Sequence, residues 1–345
     1  MDAHLHLCLC RLERDEAALE AHTPWVRSQT NEDIFKVKRN LTVRAGIRHE
    51  FNSGWNEAQG RAANYDLNSS GVLMTNPVIG SSVYTQNNAK LLFSPRVGLA
   101  WDVFGNGTTA VRAGFGTYYS EIDDLAFLLN SLPPYNGSLT FTGSLPSITP
   151  ITPGVPDPPS CGPGVTPPCA TYAPQGVQAN AKTPTVEEWH LGVEQQLTHN
   201  TALRVAYVGS HGYHGFISVD LNAIPSQICA SAAGCLAGGI GAAASQSTVA
   251  EGTEYIPVGT RPNPNLGAGF FWLTQGNSSY NALETEVSHR MGQGLEFRAN
   301  YTWSKNLDMN SAPTGAQASN QPQMILDRNN LRRDWGPSAL NATTS

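Results

Sequence analysis

The chain has 345 residues, of which 40% are hydrophobic and only 14% are charged, whereas a typical soluble domain has about 25% charged residues. The net charge of −6 gives no reason to expect nucleic acid or an anionic membrane surface as a partner. No run of about 18 apolar residues occurs, which excludes a transmembrane helix, and the 33 glycines and 23 prolines favour turns and long loops.

From residue 33 onward, apolar and polar residues alternate with a period of two, which is typical of strands between two different environments. The pattern predicts a short strand at Asp33 to Val37, a turn at Lys38 to Asn40 and a strand at Leu41 to Phe51. The next pair of strands, Pro95 to Phe104 and Val111 to Tyr119, flanks a Gly-Asn-Gly turn, which is a strong signal for a β-hairpin.

Two further hairpins follow the same pattern. Strands at Glu188 to Leu197 and Leu203 to Tyr207 flank a turn at Thr198 to Thr201. The last and clearest pair, Leu283 to Arg290 and Leu295 to Ser304, flanks Gly292 to Gly294. The sequence therefore predicts seven or eight antiparallel strands.

Each predicted strand has one apolar face and one face that carries charge. We predict that the apolar face contacts lipid, and that the charged face lines a wet lumen in which Arg and Glu pair across strands at about 0.2–1 kcal/mol per pair. The predicted lipid-facing residues are Leu41, Val43, Val97, Leu99, Val111, Phe115, Leu191, Val193, Leu203, Val205, Leu295 and Phe297. The predicted lumen-facing residues are Arg44, Arg96, Arg112, Glu194, Arg204, Glu284, Glu286, Arg290, Glu296 and Arg298.

The connections between the strands alternate strictly between short and long. They are short at 38–40, 105–108, 198–201 and 291–294, and long at 52–90, 120–184, 212–279 and from 306 onward. Transmembrane barrels have short turns at the periplasmic rim and long loops outside, and their tilted strands cross the hydrocarbon in about 9–11 residues. We therefore predict an all-β fold, an antiparallel β-meander that forms part of a transmembrane outer-membrane β-barrel with long extracellular loops.

Five aromatic residues refine this prediction, because all of them lie toward the long-loop ends of their strands. Such rings sit at the level of the lipid headgroups and form an interfacial girdle. Ordinary enrichment of aromatic residues in strands is the alternative explanation. The predicted girdle residues are Tyr119, Trp189, Tyr207, Tyr301 and Trp303.

The long loops are predicted to hold the ligand-recognition surface, as loops on a rigid scaffold usually do. The proline-rich segment 131–184 should be irregular or extended. Two histidines at the start of a long loop, His211 and His214, are candidates for contact with a ligand or metal at the mouth.

Two cysteine pairs are candidate loop disulfides in an oxidising compartment. They are Cys161 with Cys169 and Cys229 with Cys235.

Six stretches resemble TonB-dependent transporters of the Oar-like type, and they occur in the expected order. They include SPRVGLAWDVFGNGTTAVRAGFGTYY at 94–119 and SSYNALETEVSHRMGQGLEFRANYTWSKNLD at 278–308. The remaining resembling stretches are 33–51, 183–197, 201–214 and 328–338. The resemblance implies a many-stranded barrel in the cell outer membrane that is plugged by an N-terminal domain and powered through TonB at the inner membrane.

The resemblance assigns residues 33–338 to a partial barrel and 339–345 to a truncated end. Residues 1–32 remain unassigned and lack the basic start and long apolar stretch of a signal peptide, which indicates a truncated or misassigned start, or a frame shift. The implied partners are outer-membrane lipid, a missing plug domain with the remaining barrel strands, the TonB complex through that plug, and an unknown transported ligand. We expect no cofactor.

Two other classes of protein compete with this interpretation. A secreted or surface β-sandwich, such as an adhesin, shares the alternation but buries its apolar faces against each other. An enzyme is suggested by Asp2, His4 and His6, which match the metal-binding start of amidohydrolases. That chemistry needs further ligands on later strands that alternate with helices, whereas this sequence predicts antiparallel hairpins, so we expect no enzyme.

Overall fold

The fold is all-β, with a single turn of 3-10 helix at Leu331–Asp334 among the described residues. The computed structural model describes residues 26–52, 57–120, 139–142, 169–239, 246–291, 295–310, 325 and 327–339. The strands are β1 (Val26–Lys38), β2 (Leu41–Asn52), β3 (Ala62–Asn64), β4 (Val78–Gly80), β5 (Leu92–Asp102), β6 (Thr109–Tyr119), β7 (Leu139–Thr142), β8 (Cys169–Tyr172), β9 (Gln175–Val177), β10 (Thr185–Thr198), β11 (Thr201–Val219), β12 (Gln227–Ile228), β13 (Cys235–Ala237), β14 (Ser247–Val249), β15 (Glu254–Tyr255), β16 (Phe270–Met291), β17 (Leu295–Asp308) and β18 (Gly336–Pro337).

The long strands form one sheet in the order β1-β2-β5-β6-β10-β11-β16-β17-β18. Every neighbouring pair in this order is antiparallel, so the predicted meander is confirmed. The short strand β9 joins the sheet from the side and pairs in parallel with β16. No helix in the described residues is long and apolar enough to cross a membrane.

The short turns are held by their own side chains. In the β5–β6 turn, the Asp102 carboxylate accepts hydrogen bonds from the backbone N–H groups of Gly105 (3.0 Å) and Gly107 (2.8 Å). Both glycines have positive φ, +73° and +76°, a conformation that side chains with a Cβ rarely adopt. The predicted turn at 291–294 lies almost entirely outside the described residues.

Strand β1 is longer than predicted. It begins at Val26, where it pairs with Asn52, whereas the alternation predicted only a short strand from Asp33. The added residues are almost all polar, and the strand is formed by backbone pairing along the whole of β2. A polar strand of this kind carries no period-two signal, which is why the sequence pattern missed it.

Strands β11 and β16 also run further than predicted, because residues 212–219 and 270–279 continue the hairpin instead of forming a loop. The register shifts between Gly212 and Gly215 and again between Gly215 and Phe216, so that two bulges on opposite strands compensate each other. His214 has a φ of +55° at this point. A bulge interrupts the side-chain period and increases the local twist. The alternation therefore stops in the sequence while the strands continue.

Beyond the bulges, the β11–β16 hairpin is covered on both faces. One hydrophobic cluster contains alternate strand residues packed against the loops: Ile217, Val219, Phe271 and Leu273 with Tyr65, Leu73, Leu221, Leu266 and Ile325. The intervening strand residues pack in a second cluster: Phe216, Phe270 and Trp272 with Val83, Tyr84 and Val177. We call this part of the hairpin, together with the loop segments 57–91, 172–181, 220–239, 246–269, 325 and 327–338, the loop cap.

Buried asparagines tie the loop cap together. The Asn222 amide, with no exposed surface, donates to the carbonyl oxygens of Asn263, Leu266 and Gly267 at 3.0–3.1 Å. Its own carbonyl accepts the backbone N–H of Asn263 at 2.9 Å, and the Asn263 side chain donates to Leu73 O at 2.8 Å. These bonds connect the loop after β11 with the loop after β2, far away in the sequence.

Covalent and ionic contacts add to these bonds. A disulfide joins Cys229 to Cys235, as the sequence suggested for this pair. Arg261 contacts Asp220 at 2.6 Å, and both side chains are largely buried. Cys161, and with it the other candidate disulfide to Cys169, lies outside the described residues. Much of segment 131–184 lies outside them as well, although β7 pairs with β8.

The asparagine network predicts that Asn222→Ala loosens the loop cap without unfolding the main sheet. The change removes the partners of several buried polar groups, and an unsatisfied buried group costs about 1–3 kcal/mol. Hydrogen exchange of the loop-cap amides should therefore speed up by roughly tenfold or more while exchange in β5 and β6 stays the same. The matched control is Asn330→Ala, since Asn330 is exposed and makes no side-chain capping bond. Equal exchange in the two variants would contradict this role of Asn222.

Buried tyrosines predict that the loop cap is weakened in alkali. Burial raises the pKa of Tyr65 to about 12 and also raises the pKa of Tyr84. An unfolded tyrosine has a pKa of about 10, so above pH 10 the unfolded chain loses phenolic protons that the folded chain retains. The contribution of the buried tyrosines to the stability of the loop cap is thus fully present below about pH 10 and decreases as the pH approaches 12. In a pH titration of loop-cap hydrogen exchange, Tyr65→Phe should reduce the loss of protection, and an unchanged profile would exclude Tyr65 as its cause.

Candidate functional site

The pairing registers place the predicted wall residues on two opposite faces of the sheet, because residues directly opposite each other on neighbouring strands point to the same side. One row across seven strands is Val43, Leu99, Ala113, Leu191, Tyr207, Leu283 and Trp303. We call this side the apolar face. It contains Leu41, Val97, Val111, Phe115, Val193, Leu203, Val205 and Phe297 as well. Leu295 pairs through its backbone with Met291 at the turn end.

The apolar face is exposed over its whole width. Val97 and Leu191 each retain 52% of their surface, Phe297 retains 53%, and Trp303 retains 69%. No second layer covers it within the part of the chain that the structure describes. A soluble monomer rarely exposes a continuous apolar patch larger than a few hundred Å², so this face is suited to an apolar environment.

The five predicted girdle aromatics lie at a similar height on the apolar face. Counted from the short turns, they stand about 7 to 11 residues, or roughly 20–35 Å, along their strands. The Tyr207 hydroxyl donates to Asn281 Oδ1 at 2.6 Å. Beyond the other four rings the same face becomes polar, with Glu187, His211 and Ser279 in one row, whereas Tyr119 lies opposite Thr185, one alternate position past that row. The change from apolar to polar marks an upper boundary of the apolar band.

A second group of aromatic residues lies at the opposite boundary, and the sequence reasoning did not identify it. Phe35, Trp101 and Phe297 lie on the apolar face close to the short turns, and their exposures are 50%, 39% and 53%. Aromatic belts at both edges are typical of a band that crosses a bilayer. The sequence could have identified this group, because each ring lies about three residues from a short turn and its position in the alternation assigns it to the apolar face.

The opposite side, which we call the charged face, carries all ten residues that were predicted to face a lumen. Glu194, Arg204 and Glu286 stand side by side in one row across β10, β11 and β16. Partly exposed pairs of this kind contribute little each, about 0–1 kcal/mol. The pairs across neighbouring strands or along one strand are Glu32–Arg44 (3.0 Å), Arg48–Glu50 (2.5 Å), Arg112–Glu194 (3.5 Å), Arg204–Glu284 (3.6 Å), Arg298–Glu286 (3.5 Å) and Arg298–Glu296 (3.8 Å).

The two candidate histidines lie above the apolar band, near the double bulge. The His211 ring stacks on Tyr213 with ring centres 5.9 Å apart, and His214 meets the same tyrosine edge-on at 5.0 Å. Burial, with a smaller effect from Lys182, lowers the pKa of His214. Among the described residues, no three His, Cys, Asp or Glu side chains converge as metal ligands. The Asp2, His4 and His6 motif lies outside those residues.

An arginine introduced at a similar distance from the short turns should destabilise the protein on the apolar face but not on the charged face. Leu191→Arg places a charge on the apolar face, which costs about 2–4 kcal/mol near the middle of a bilayer. Thr302→Arg is the matched control, because Thr302 lies opposite Glu284 on the charged face and should accept a cation at little cost. Denaturant titration of the chain folded in lipid vesicles measures both effects. Equal destabilisation by the two arginines would show that the faces do not differ.

Comparison with known proteins agrees with this arrangement. A family model described as outer membrane beta barrel domain matches residues 25–345. A search of the curated proteins finds no match to the chain. Similar solved structures are the siderophore receptor PirA from Pseudomonas aeruginosa (12% identity, TM-score 0.39, 81% of this chain and 34% of that one), the outer membrane transporter YddB from Escherichia coli (14%, 0.39, 84% and 34%) and the FrpB iron transporter from Neisseria meningitidis (10%, 0.36, 83% and 27%).

The chain spans about a third or less of the length of these three proteins. The family model, in contrast, covers nearly the whole chain, including every strand that the structure describes. This chain therefore belongs to the outer-membrane β-barrel domain family, and its place is the outer membrane.

Proposed function

We propose that the chain supplies wall and outer loops to a TonB-dependent transporter that imports a large substrate across the outer membrane. The observation that carries this proposal is the back-to-back arrangement of an exposed apolar face and an ion-paired charged face on one continuous sheet. Such a sheet separates hydrocarbon from a wet lumen. Dependence on TonB is supported by the resemblance of six sequence stretches to the Oar-like transporters.

In this proposal the apolar face contacts the acyl chains and the charged face borders the transport path. Within the described sheet, β1 has a free outer edge, and β17 has one apart from its short pairing with β18. An unpaired edge is unfavourable in a bilayer because no water is available to its N–H and C=O groups. Further barrel strands would therefore pair with both edges, and a plug domain would fill the lumen and connect it to TonB.

The loop cap gives the outer end a defined shape. Its loops pack on a rigid extension of β11 and β16, so they would lose little conformational freedom when a ligand binds. Preorganised surfaces of this kind bind ligands more tightly than flexible ones do. The energised step is the rearrangement of the plug driven by TonB. The role of this chain is binding and passage of the ligand.

A β-sandwich of the adhesin type is disfavoured by the exposure of the apolar face. A sandwich buries the inward residues of two sheets against each other. Here Leu191, Val193 and Val205 remain 36–52% exposed in the middle of the sheet, and no facing sheet covers them in the described ranges. A lipid environment accounts for the same residues directly.

Nitroxide labels can test the contact with lipid. In a variant whose only natural cysteines are the bonded Cys229 and Cys235, labels at Val43, Val193 and Phe297 should be relaxed by dissolved oxygen but not by an aqueous nickel chelate. A label at Ser288, which lies on the charged face opposite Arg298, is the control and should respond to the nickel chelate. Labels on the apolar face that report water or tightly packed protein would overturn the proposal.

A further inference from the structure

Ion pairing on the charged face is nearly complete, and the exceptions are informative. Counting only partners in the described residues, each Arg and Glu on this face from β2 to β17 has a partner of opposite charge within 4 Å, except Arg96, Glu188 and Arg290. Arg290 stands near the short turns. Arg96 and Glu188 both line one groove higher on the face, so a cation and an anion that lack ionic partners in this part of the chain face the same space.

The groove has a floor of glycine. Arg96 lies opposite Gly116, and Gly116 lies opposite Glu188, so the two charged residues are two strands apart, about 10 Å between their Cα atoms. The adjacent row contributes Gly98 and Gly114. The groove has a volume of about 560 Å³, and the glycines on its floor leave room for rings from neighbouring residues.

Aromatic rings hold the walls in place. The Arg96 guanidinium lies 4.7 Å from the centre of the Tyr118 ring, and that ring lies so close over Gly116 that a Cβ there would approach the Tyr118 hydroxyl to 2.9 Å. His190 covers Gly114 in the same way, at about 3.0 Å from Nδ1 to the position of a Cβ. The Nε atom of Arg96 is buried and has no hydrogen-bond partner among the described residues. A bound acceptor would satisfy it.

We propose that this groove binds a peptide-like zwitterion, with its carboxylate on Arg96 and its ammonium group on Glu188. The idea deepens the proposed transport function and depends on it, because the groove would then line the transport path. The two charged residues are close enough for one short peptide to reach both of them, because their Cα atoms lie about 10 Å apart and an extended chain spans about 3.3–3.6 Å per residue.

Neighbouring polar groups suit the end of such a ligand that lies near Glu188. His190 stands two residues from Glu188 on β10, and Ser210 and Tyr280 lie beside Glu188 on β11 and β16, on the side away from Arg96. They can donate to or accept from the peptide groups of an extended ligand. Because the Tyr118 and His190 rings lie over Gly116 and Gly114, the backbone of the ligand would lie against these rings.

Calorimetric titration of the full chain in detergent micelles with triglycine tests the proposal. Triglycine should bind, and blocking its charges by N-acetylation or C-amidation should weaken binding by about tenfold each, as expected for loss of a charged hydrogen bond. In Arg96→Gln, triglycine and its C-amide should bind equally. In Glu188→Gln, triglycine and its N-acetyl form should bind equally.

The matched control is Arg298→Gln, since Arg298 lies on the same face but outside the groove and is paired with Glu286. It should leave triglycine binding unchanged. The proposal would be overturned if the wild-type chain did not bind triglycine, or if wild type and Arg96→Gln distinguished triglycine from its C-amide equally well. The groove would then be a contact site for a protein segment such as a plug loop. If triglycine does not bind but a nitroxide label at Val193 contacts lipid, only the proposal for the groove is wrong. If the label at Val193 contacts water, the proposed barrel wall is wrong as well.

Discussion

The register of strand pairing is the constraint on which the rest of the structure depends. Successive side chains of a strand point to opposite sides, so a slip by one residue would move every apolar side chain of that strand onto the charged face and every ionic one onto the apolar face. The short turns fix this register. Asn40 donates to Asp102 O across neighbouring turns at 2.7 Å, and the hydroxyls of Thr198 and Thr201 bond at 2.9 Å.

The two faces then stabilise the protein in different ways. The apolar face gains free energy only from a hydrocarbon environment, so its contribution depends on the membrane. The charged face consists of partly exposed ion pairs that are individually weak, and its value lies in keeping ionic side chains in water and away from lipid. The same sheet thereby combines an apolar surface and an ionic surface on its two sides.

The bulges at Gly212 to Phe216 separate two functions along β11 and β16. Below them, each strand has one apolar and one polar face, as a barrel wall requires. Above them, both faces are buried by loops, as in the centre of a small soluble domain. A close approach of Gly215 and Gly276 allows the change, since a Cβ at Gly276 would lie 2.9 Å from the Gly215 carbonyl oxygen.

Local periodicity determined the hairpins, the antiparallel order and the face of each wall residue, because all three follow from a repeat of two residues and from turn chemistry. Tertiary structure alone decided the rest. The polar start of β1, the loop cap and the groove between Arg96 and Glu188 depend on contacts between distant segments, such as Asn263 with Leu73, 190 residues apart. Spacing along the chain carries no record of such contacts, since they arise only when the strands have paired.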